Sequence, residues 1–299
     1  MRALLRHSLA LAAGAALLGG CSSGGAPPAA KSPPAGSPSA HTSHSAPRAA
    51  PAAPARPWNV HPASVAALGD SITRGFDACK PLQDCPDVSW ATGSRGSVAS
   101  VASRVAGGGS WNLARTGARV ADLPAQAEEA AAHKPAMVTI LIGANDACRT
   151  STAAMTSVAD FRADFAKTLG YLHRTLPATQ VLVASIPDLR HLWSVGRDNA
   201  LAQQLWKLGL CPTMLDAPSS DAPAARTRRD AVRARVVAYN AAMGAVCARY
   251  DRCRYDGGAV FRYPFTADQL STWDWFHPSP RGQHELAALL AGIASRPPS

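Results

Sequence analysis

Residues 137–142 form a continuous apolar run, M-V-T-I-L-I, that stops at Gly143-Ala144-Asn145-Asp146. A strand that is apolar on both faces is typical of the middle of a parallel sheet covered by helices on both sides. Similar runs lie at 65–68 and 181–186, and apolar residues with helical spacing occupy 158–176. This alternation of strands and helices predicts an α/β fold with a mainly parallel sheet.

The other segments fit the same architecture, except for one long irregular stretch. Residues 188–229 show the least periodic pattern, and we expect them and the loop 79–85 to form the walls of a substrate pocket. The remaining predicted elements are helices over 98–105, 121–133, 232–250 and 283–293, a strand at 111–113 and a last strand over 254–260.

Residues 1–21 have the layout of a secretory signal peptide. Arg2 and Arg6 precede an apolar run that is too short to span a bilayer comfortably. The run ends in L-G-G-C, which resembles a bacterial lipobox, where the cysteine is lipidated. We therefore expect a lipoprotein anchored through Cys21 to the outer face of the cytoplasmic membrane. Ordinary secretion with a fortuitous cysteine is the alternative.

The composition of the rest separates a linker from one folded domain. Residues 22–57 are rich in Pro, Ala and Ser, which is typical of a disordered tether, and the domain should span 58–299. A net charge of +10 would suit a nucleic-acid partner. The basic residues are scattered, however, with no Lys/Arg block or RNA-binding signature. We expect a monomer without a nucleic-acid partner.

The cysteine count points to disulfides. Of the seven cysteines, six remain when Cys21 is set aside, and an even number in an exported chain favours disulfide bonds. Short loops make Cys79–Cys85 and Cys247–Cys253 natural local pairs, which leaves Cys148–Cys211, although six cysteines allow 15 connectivities. A zinc site is the competing interpretation, but the chain has no C-x-x-C pair.

Ser71 follows the first predicted strand within the stretch G-D-S-I. At the start of a helix, backbone N–H groups and the helix dipole would stabilise negative charge beside its hydroxyl. The nucleophile elbow of the α/β-hydrolases requires Gly two residues after the serine, where this chain has Thr73. A metallophosphoesterase would need another metal ligand nearby, where this chain offers Ile72 and Thr73. An ordinary turn at Gly-Asp-Ser remains the other interpretation.

Other polar residues occupy matching positions. Ser71, Gly117 and Asn145 each follow a predicted strand, and parallel strands end at one edge of a sheet, where ligands bind. Asp274 precedes His277 by three residues, which lets its carboxylate reach Nδ1 while Nε2 faces outward. As alternatives, Asn145 and Gly117 are ordinary turn or helix-start residues, and Asp274 is a capping residue with a backbone carbonyl orienting His277.

The blocks G-D-S-I, N-L-A-R-T-G, G-A-N-D and D-W-F-H occur in the order of the SGNH/GDSL hydrolases, and the chain resembles that family over 65–291. Within the family it is similar to secreted actinobacterial lipases and esterases with three disulfides. The resemblance implies a flavodoxin-like three-layer α/β/α fold with a five-stranded parallel sheet. It also implies hydrolysis of a small-molecule or lipid carboxylic ester, with no metal and no cofactor.

The resemblance assigns a role to each polar residue. Ser71 would be the nucleophile, His277 the general base and acid, and Asp274 the residue that orients the imidazole. The N–H groups of Ser71 and Gly117 and the side-chain amide of Asn145 would form the oxyanion hole. Two alternative functions remain open: a carbohydrate O-acetylesterase with the same triad, and a surface binding protein that has kept the fold without turnover.

Overall fold

A computed structural model of the protein describes residues 57–297. Its centre is a five-stranded sheet in the order β2-β1-β3-β4-β5, and all four strand pairings are parallel. The strands are β1 (Val65–Gly69), β2 (Ser110–Asn112), β3 (Met137–Leu141), β4 (Gln180–Val183) and β5 (Cys253–Tyr255). This strand order is that of flavodoxin-like folds, so the predicted fold class is confirmed.

Helices cover both faces of the sheet. Helices α3, α5 and α9 pack side by side, and α2 packs against α11. The helices are α1 (Ser71–Arg74), α2 (Val101–Val105), α3 (Leu123–His133), α4 (Ala144–Ala147), α5 (Val158–Thr175), α6 (Leu189–Gly196), α7 (Ala200–Trp206), α8 (Pro212–Leu215), α9 (Pro223–Cys247), α10 (Ala259–Arg262) and α11 (Pro280–Ala294). Short 3₁₀ turns occupy Pro86–Val88, Val120–Asp122, Thr152–Ala154 and Ala267–Gln269.

Burial follows the sheet order. Every residue of β1, β3 and β4 is buried, whereas the edge strands β2 and β5 are partly exposed. The end of β1 is fixed by Gly69, because a Cβ there would lie 2.2 Å from the carbonyl oxygen of Leu141 on β3. The side chain of Gln126 bonds both the N–H and the C=O of Gly69, at 2.8 and 3.0 Å. The turn that follows β1 is therefore held rigidly.

The segment expected to be irregular is largely helical, so that expectation for 188–229 is wrong. It contains α6, α7, α8 and the start of α9. The first two helices depend on side-chain caps: Asp188 accepts the N–H groups of Arg190 and His191, and Asn199 accepts that of Ala202. Caps of this kind start helices that are too short to show a clear apolar period.

The predicted last strand over 254–260 is also shorter in the structure. Strand β5 ends at Tyr255, and Gly257 and Gly258 then adopt φ values of 67° and 81°. Asp256 accepts the N–H groups of Gly258 and Val260, which turns the chain into α10. Glycine adopts this left-handed backbone without strain, and it ends the strand here.

Three disulfides join Cys79 to Cys85, Cys148 to Cys211, and Cys247 to Cys253. The first and third are the local pairs that the short loops favoured, and the second is the pair that this leaves. The second closes a loop of 63 residues and connects the end of α4 to the start of α8.

Two expectations on the N-terminal part fall outside the described residues. They are the signal peptide with Cys21, at 1–21, and almost all of the linker over 22–57. Within residues 57–297, a search for a helix with the length and hydrophobicity of a bilayer span finds none.

Candidate active site

Ser71 begins helix α1 directly after the end of β1. The side chain of Asp70 caps this short helix by accepting the N–H of Ile72 at 3.0 Å. Ser71 is only 6% exposed, so its hydroxyl is almost withdrawn from bulk water. The strand order reverses between β1 and β3, and ligands of flavodoxin-like folds bind at that point, beyond the carboxyl ends of the strands.

His277 faces Ser71 from the loop before α11. Its Nε2 lies 2.8 Å from Ser71 Oγ, and its Nδ1 lies 2.5 Å from Asp274 Oδ2. A proton on Nδ1 would be donated to Asp274, which leaves Nε2 to accept the hydroxyl proton of Ser71. The structure therefore brings these three sequence-predicted residues into one hydrogen-bonded chain.

A tight turn positions the Asp274 carboxylate. Its Oδ1 accepts the backbone N–H groups of Phe276 and His277, both at 2.9 Å. Trp275, which lies between Asp274 and Phe276, adopts a left-handed φ of 56°. The indole N–H of Trp206 on α7 donates to the carbonyl oxygen of Asp274 at 2.8 Å. Nδ1 of His277 thus faces a fixed carboxylate rather than the backbone carbonyl considered as its alternative.

Burial and charge oppose each other at this pair. Burial acts to raise the pKa of Asp274, but His277 and the hydrogen bonds from its N–H groups lower that pKa overall. Burial likewise acts to lower the pKa of His277, but Asp274 and more distant carboxylates raise it above the usual value of 6.5. The pair therefore favours a negative carboxylate and an imidazole that readily accepts a proton.

Asn145 lies on α4, directly after β3. Its side-chain amide donates to the carbonyl oxygen of Ala118 at 2.9 Å and so ties α4 to the loop after β2. In that loop Gly117 is the third residue of a turn closed by the N–H of Ala118 and the C=O of Arg115, at 3.0 Å. Its φ of 82° suits glycine, and a Cβ would meet no atom within 4 Å.

A largely apolar cavity of about 250 Å³ opens beside the serine. Both Ser71 and Asn145 line it, whereas Gly117 is exposed and is not among its lining residues. The other lining residues are Ile72, Ala144, Cys148, Leu189, Leu192, Gly209, Leu210, Cys211, Pro212, Phe276 and His277.

The residues that line the cavity match only one of the two segments expected to form its walls. Residues of 188–229 do line the cavity, as expected, and the disulfide Cys148–Cys211 belongs to its wall. The loop 79–85 contributes no residue to this cavity, so that expectation is wrong. Through Asp84 the loop instead borders a separate, polar groove of about 430 Å³ that Arg74 and Arg115 also line.

Two buried carboxyls beside the site have structural contacts. Burial raises the pKa of Asp70 to about 7 and that of Asp146 to about 6. Asp146 accepts the N–H of Val120 at 2.9 Å and the hydroxyl of Thr156 at 2.7 Å. These bonds fix the loop after α4 and the turn before α3, so Asp146, like the helix cap Asp70, has a structural role.

Sequence reasoning missed Asp77, which lies beside the triad. Ligand atoms of Asp77, Asp274 and His277 all lie within 4.8 Å of one another, close enough for one cation to contact all three. Asp274 and His277 already share a hydrogen bond, however. The expectation of a site without metal or cofactor stays a prediction. No periodic pattern marks Asp77, because a turn and not a strand or long helix places it.

Comparison with known proteins gives one strong match. The family model described as GDSL-like lipase/acylhydrolase matches residues 65–290, which is most of the chain. A search of curated proteins finds no match.

Solved structures with a similar fold include three hydrolases. An extracellular lipase from Streptomyces rimosus is 19% identical, with 77% of this chain and 99% of that chain covered and a TM-score of 0.45. Phospholipase A1 from Streptomyces albidoflavus is 16% identical, with coverages of 78% and 99% and a TM-score of 0.46. An acetyl xylan esterase is 14% identical, with coverages of 77% and 98% and a TM-score of 0.48. Since these TM-scores lie below 0.5, the assignment rests on the family match.

Proposed function

The chain belongs to the GDSL-like lipase/acylhydrolase family and is an ester hydrolase, and on this premise we propose that Ser71, His277 and Asp274 carry out the hydrolysis. The observation that carries this proposal is the hydrogen-bonded chain from Ser71 Oγ through the imidazole to Asp274, at 2.8 and 2.5 Å. A surface turn without catalytic function would not need a buried, aligned imidazole and carboxylate.

The proposed reaction has two halves. Ser71 Oγ attacks the ester carbonyl carbon while Nε2 of His277 accepts the hydroxyl proton, and the tetrahedral intermediate collapses as that proton passes to the departing alcohol. Water then attacks the acyl-serine, giving its proton to His277, and the acid leaves as the proton returns to Ser71 Oγ. Asp274 stays ionised and stabilises the imidazolium that forms in each half.

The oxyanion hole is proposed to consist of the N–H groups of Ser71 and Gly117 and the side-chain amide of Asn145. Asn145 supports this role because its amide carries two hydrogens and the bond to Ala118 uses only one. The same bond holds the turn that carries the N–H of Gly117 beside α4. Donors fixed in this way need no reorganisation when the negative charge develops.

The size and lining of the cavity favour a short or medium acyl chain. A cavity of about 150 Å³ holds benzene, so by proportion 250 Å³ suits an acyl chain of up to about ten carbons. Leu189, Leu192 and Phe276 give it apolar walls. We therefore favour a lipase or esterase over a carbohydrate O-acetylesterase, whose acetyl group would fill little of this space.

We further propose that the enzyme is exported and acts as a monomer. Three disulfides fit an extracellular protein, since such bonds form and persist in oxidising compartments. The proposed arrangement is a signal peptide at 1–21, a linker at 22–57 and the hydrolase domain at 58–299, with lipid on Cys21. Metabolic labelling with a fatty-acid probe, lost in Cys21→Ala, tests the anchor; labelling that persists in that variant contradicts it.

Labelling with a fluorophosphonate tests whether the serine is an active nucleophile. We expect covalent labelling of the protein and none of Ser71→Ala, because capture requires an activated hydroxyl. A folded protein that does not react would instead favour the non-catalytic binding protein. Mass spectrometry of the labelled peptide identifies the residue, and a label on another serine would contradict the proposal.

A further inference from the structure

Asp77 is a buried carboxyl that the proposed mechanism leaves unused. It is only 1% exposed and adopts a left-handed φ of 56°. Its N–H donates to the carbonyl oxygen of Gln83 at 3.0 Å, and its own carbonyl oxygen accepts the hydroxyl of Ser271 at 2.6 Å. The N–H of Ser271 in turn donates to the carbonyl oxygen of His277 at 2.7 Å. The backbone of Asp77 is thus joined to the loop that carries the imidazole.

The side chain of Asp77 reaches the carboxylate of the triad. Ligand atoms of Asp77, Asp274 and His277 lie within 4.8 Å of one another, so the Asp77 carboxyl is close enough to interact directly with the Asp274 carboxylate. Oδ1 of Asp77 accepts the N–H of Leu82, which leaves its second oxygen to carry a proton. Two buried carboxyls in contact strongly disfavour double ionisation, so one of them holds a proton over a wide pH range.

The surroundings decide which carboxyl is neutral. Asp274 accepts two backbone N–H groups and the ring nitrogen of His277, and each of these bonds stabilises its ionised form. Asp77 accepts one backbone N–H, from Leu82. Burial, then Asp274, raises the pKa of Asp77 to about 6, while a positive His277 lowers it. When His277 is neutral and able to accept a proton, that lowering is absent.

We propose that Asp77 is a positioning residue that, as a neutral acid, donates a hydrogen bond to Asp274 and holds its carboxylate against Nδ1 of His277. This inference rests on the proposed roles of Ser71, His277 and Asp274. It extends the hydrogen-bonded chain to four side chains, with the outermost member acting only through Asp274. The titratable groups facing Asp77 are Asp274 and His277, the latter bonded to Ser71.

The test compares Asp77→Asn with Asp77→Ala in the full protein. Asparagine keeps both contacts, because its amide oxygen can accept the N–H of Leu82 and its NH₂ can donate to Asp274. We expect Asp77→Asn to keep kcat within about 3-fold of the unmodified protein. Asp77→Ala removes the donor, and a misplaced imidazole should lower kcat by about 10- to 100-fold with KM nearly unchanged.

Proton NMR supplies a readout that does not depend on turnover. The downfield resonance of the Nδ1 proton of His277 should be present in the unmodified protein and in Asp77→Asn, and shifted or lost in Asp77→Ala. The matched control is Asp87→Asn, which removes a carboxylate that pairs with Arg95 at the surface, 2.6 Å away. It should change neither the resonance nor kcat.

The outcomes separate this inference from the function on which it rests. Equal kcat in Asp77→Ala and the unmodified protein would overturn it, as would equal loss in Asp77→Asn and Asp77→Ala. If Asp77→Ala does not fold, the test uses Asp77→Asn alone. A changed kcat or a changed Nδ1 resonance in folded Asp77→Asn would still overturn the inference. Activity that survives Ser71→Ala would instead overturn the proposed function itself.

Discussion

The imidazole of His277 and the hydroxyl of Ser71 lie 2.8 Å apart although 206 residues separate them in the chain. Gln283 on α11 maintains this relationship. Its side-chain N–H donates to the carbonyl oxygen of Ile72 at 2.8 Å, and its Oε1 accepts the N–H of Trp90 at 2.8 Å. Since Gln283 is fully buried, α11 is locked to the short helix that begins with the serine.

Removal of the Asn145 amide should slow turnover without weakening substrate binding. We expect Asn145→Ala to lower kcat by about 10²–10³-fold, because one oxyanion donor is lost. KM should change much less, since the donor acts mainly in the transition state. Steady-state kinetics on a soluble ester measures both, and the control is Asn59→Ala, which removes an exposed side-chain amide whose Oδ1 accepts the N–H of His61. An unchanged kcat would show that Asn145 is not part of the oxyanion hole.

The acid limb of the pH profile should report His277. Its pKa is raised by Asp274 against the opposing effect of burial, so kcat/KM should fall with decreasing pH around a midpoint above 6.5. Asp274→Asn should move that midpoint to lower pH and reduce kcat by about 10³–10⁴-fold, because an amide favours the wrong tautomer. If the midpoint of the acid limb is the same in Asp274→Asn, a group other than His277 titrates there.

The same shift predicts a direction for stability. A histidine with a raised pKa in the folded state stabilises the fold fully below the unfolded value of about 6.5. That contribution is lost as pH rises through the folded pKa. The melting temperature of His277→Gln should therefore lie further below that of the unmodified protein at pH 6 than at pH 9. A difference that is constant across this range would contradict the assigned shift.

Removal of the Cys148–Cys211 disulfide should affect both stability and the substrate pocket. Chain entropy predicts a loss of about 4 kcal/mol for a 63-residue loop and about 2 kcal/mol for the 6-residue loop of Cys247–Cys253. Since Cys148 and Cys211 line the cavity, their Ser/Ser variant should also raise KM. Urea unfolding and kinetics compare it with the Cys247/Cys253 Ser/Ser variant; equal effects on KM would argue against a role in the pocket.

Filling the cavity should shorten the preferred acyl chain. Leu210 lines the cavity and is partly exposed, so a Trp there can occupy the space with little disturbance of the core. We expect Leu210→Trp to lower kcat/KM for octanoyl esters at least 10-fold relative to acetyl esters. Leu208→Trp is the matched control, because Leu208 is 83% exposed and lies outside the cavity lining. If Leu208→Trp changed the preference for octanoyl over acetyl esters as much as Leu210→Trp, the acyl chain would have to bind outside this cavity.

The sequence predicted the features that depend on local chemistry. The apolar runs of β1, β3 and β4 are visible because strands buried on both faces consist mostly of apolar residues. The spacing of Asp274 and His277 anticipated their contact, since three residues on one turn bring the two side chains together.

Features that depend on tertiary contacts were not visible in advance. Helices α6 and α7 start from the caps Asp188 and Asn199, and short capped helices have no long apolar period. The place of Asp77 beside Asp274 depends on a turn tied to Ser271, 194 residues away. No local pattern records such a contact.

Hydrolysis of p-nitrophenyl esters from acetyl to palmitoyl, by the protein and by Ser71→Ala, tests the central claim most directly. The account predicts an optimum for acyl chains longer than acetyl and of up to about ten carbons. It also predicts that Ser71→Ala loses at least about 10³-fold in kcat while its melting temperature stays near that of the unmodified protein. An optimum at acetyl would favour the O-acetylesterase. Equal activity in the two proteins would mean that Ser71 is only a turn residue, and the proposed mechanism would be wrong.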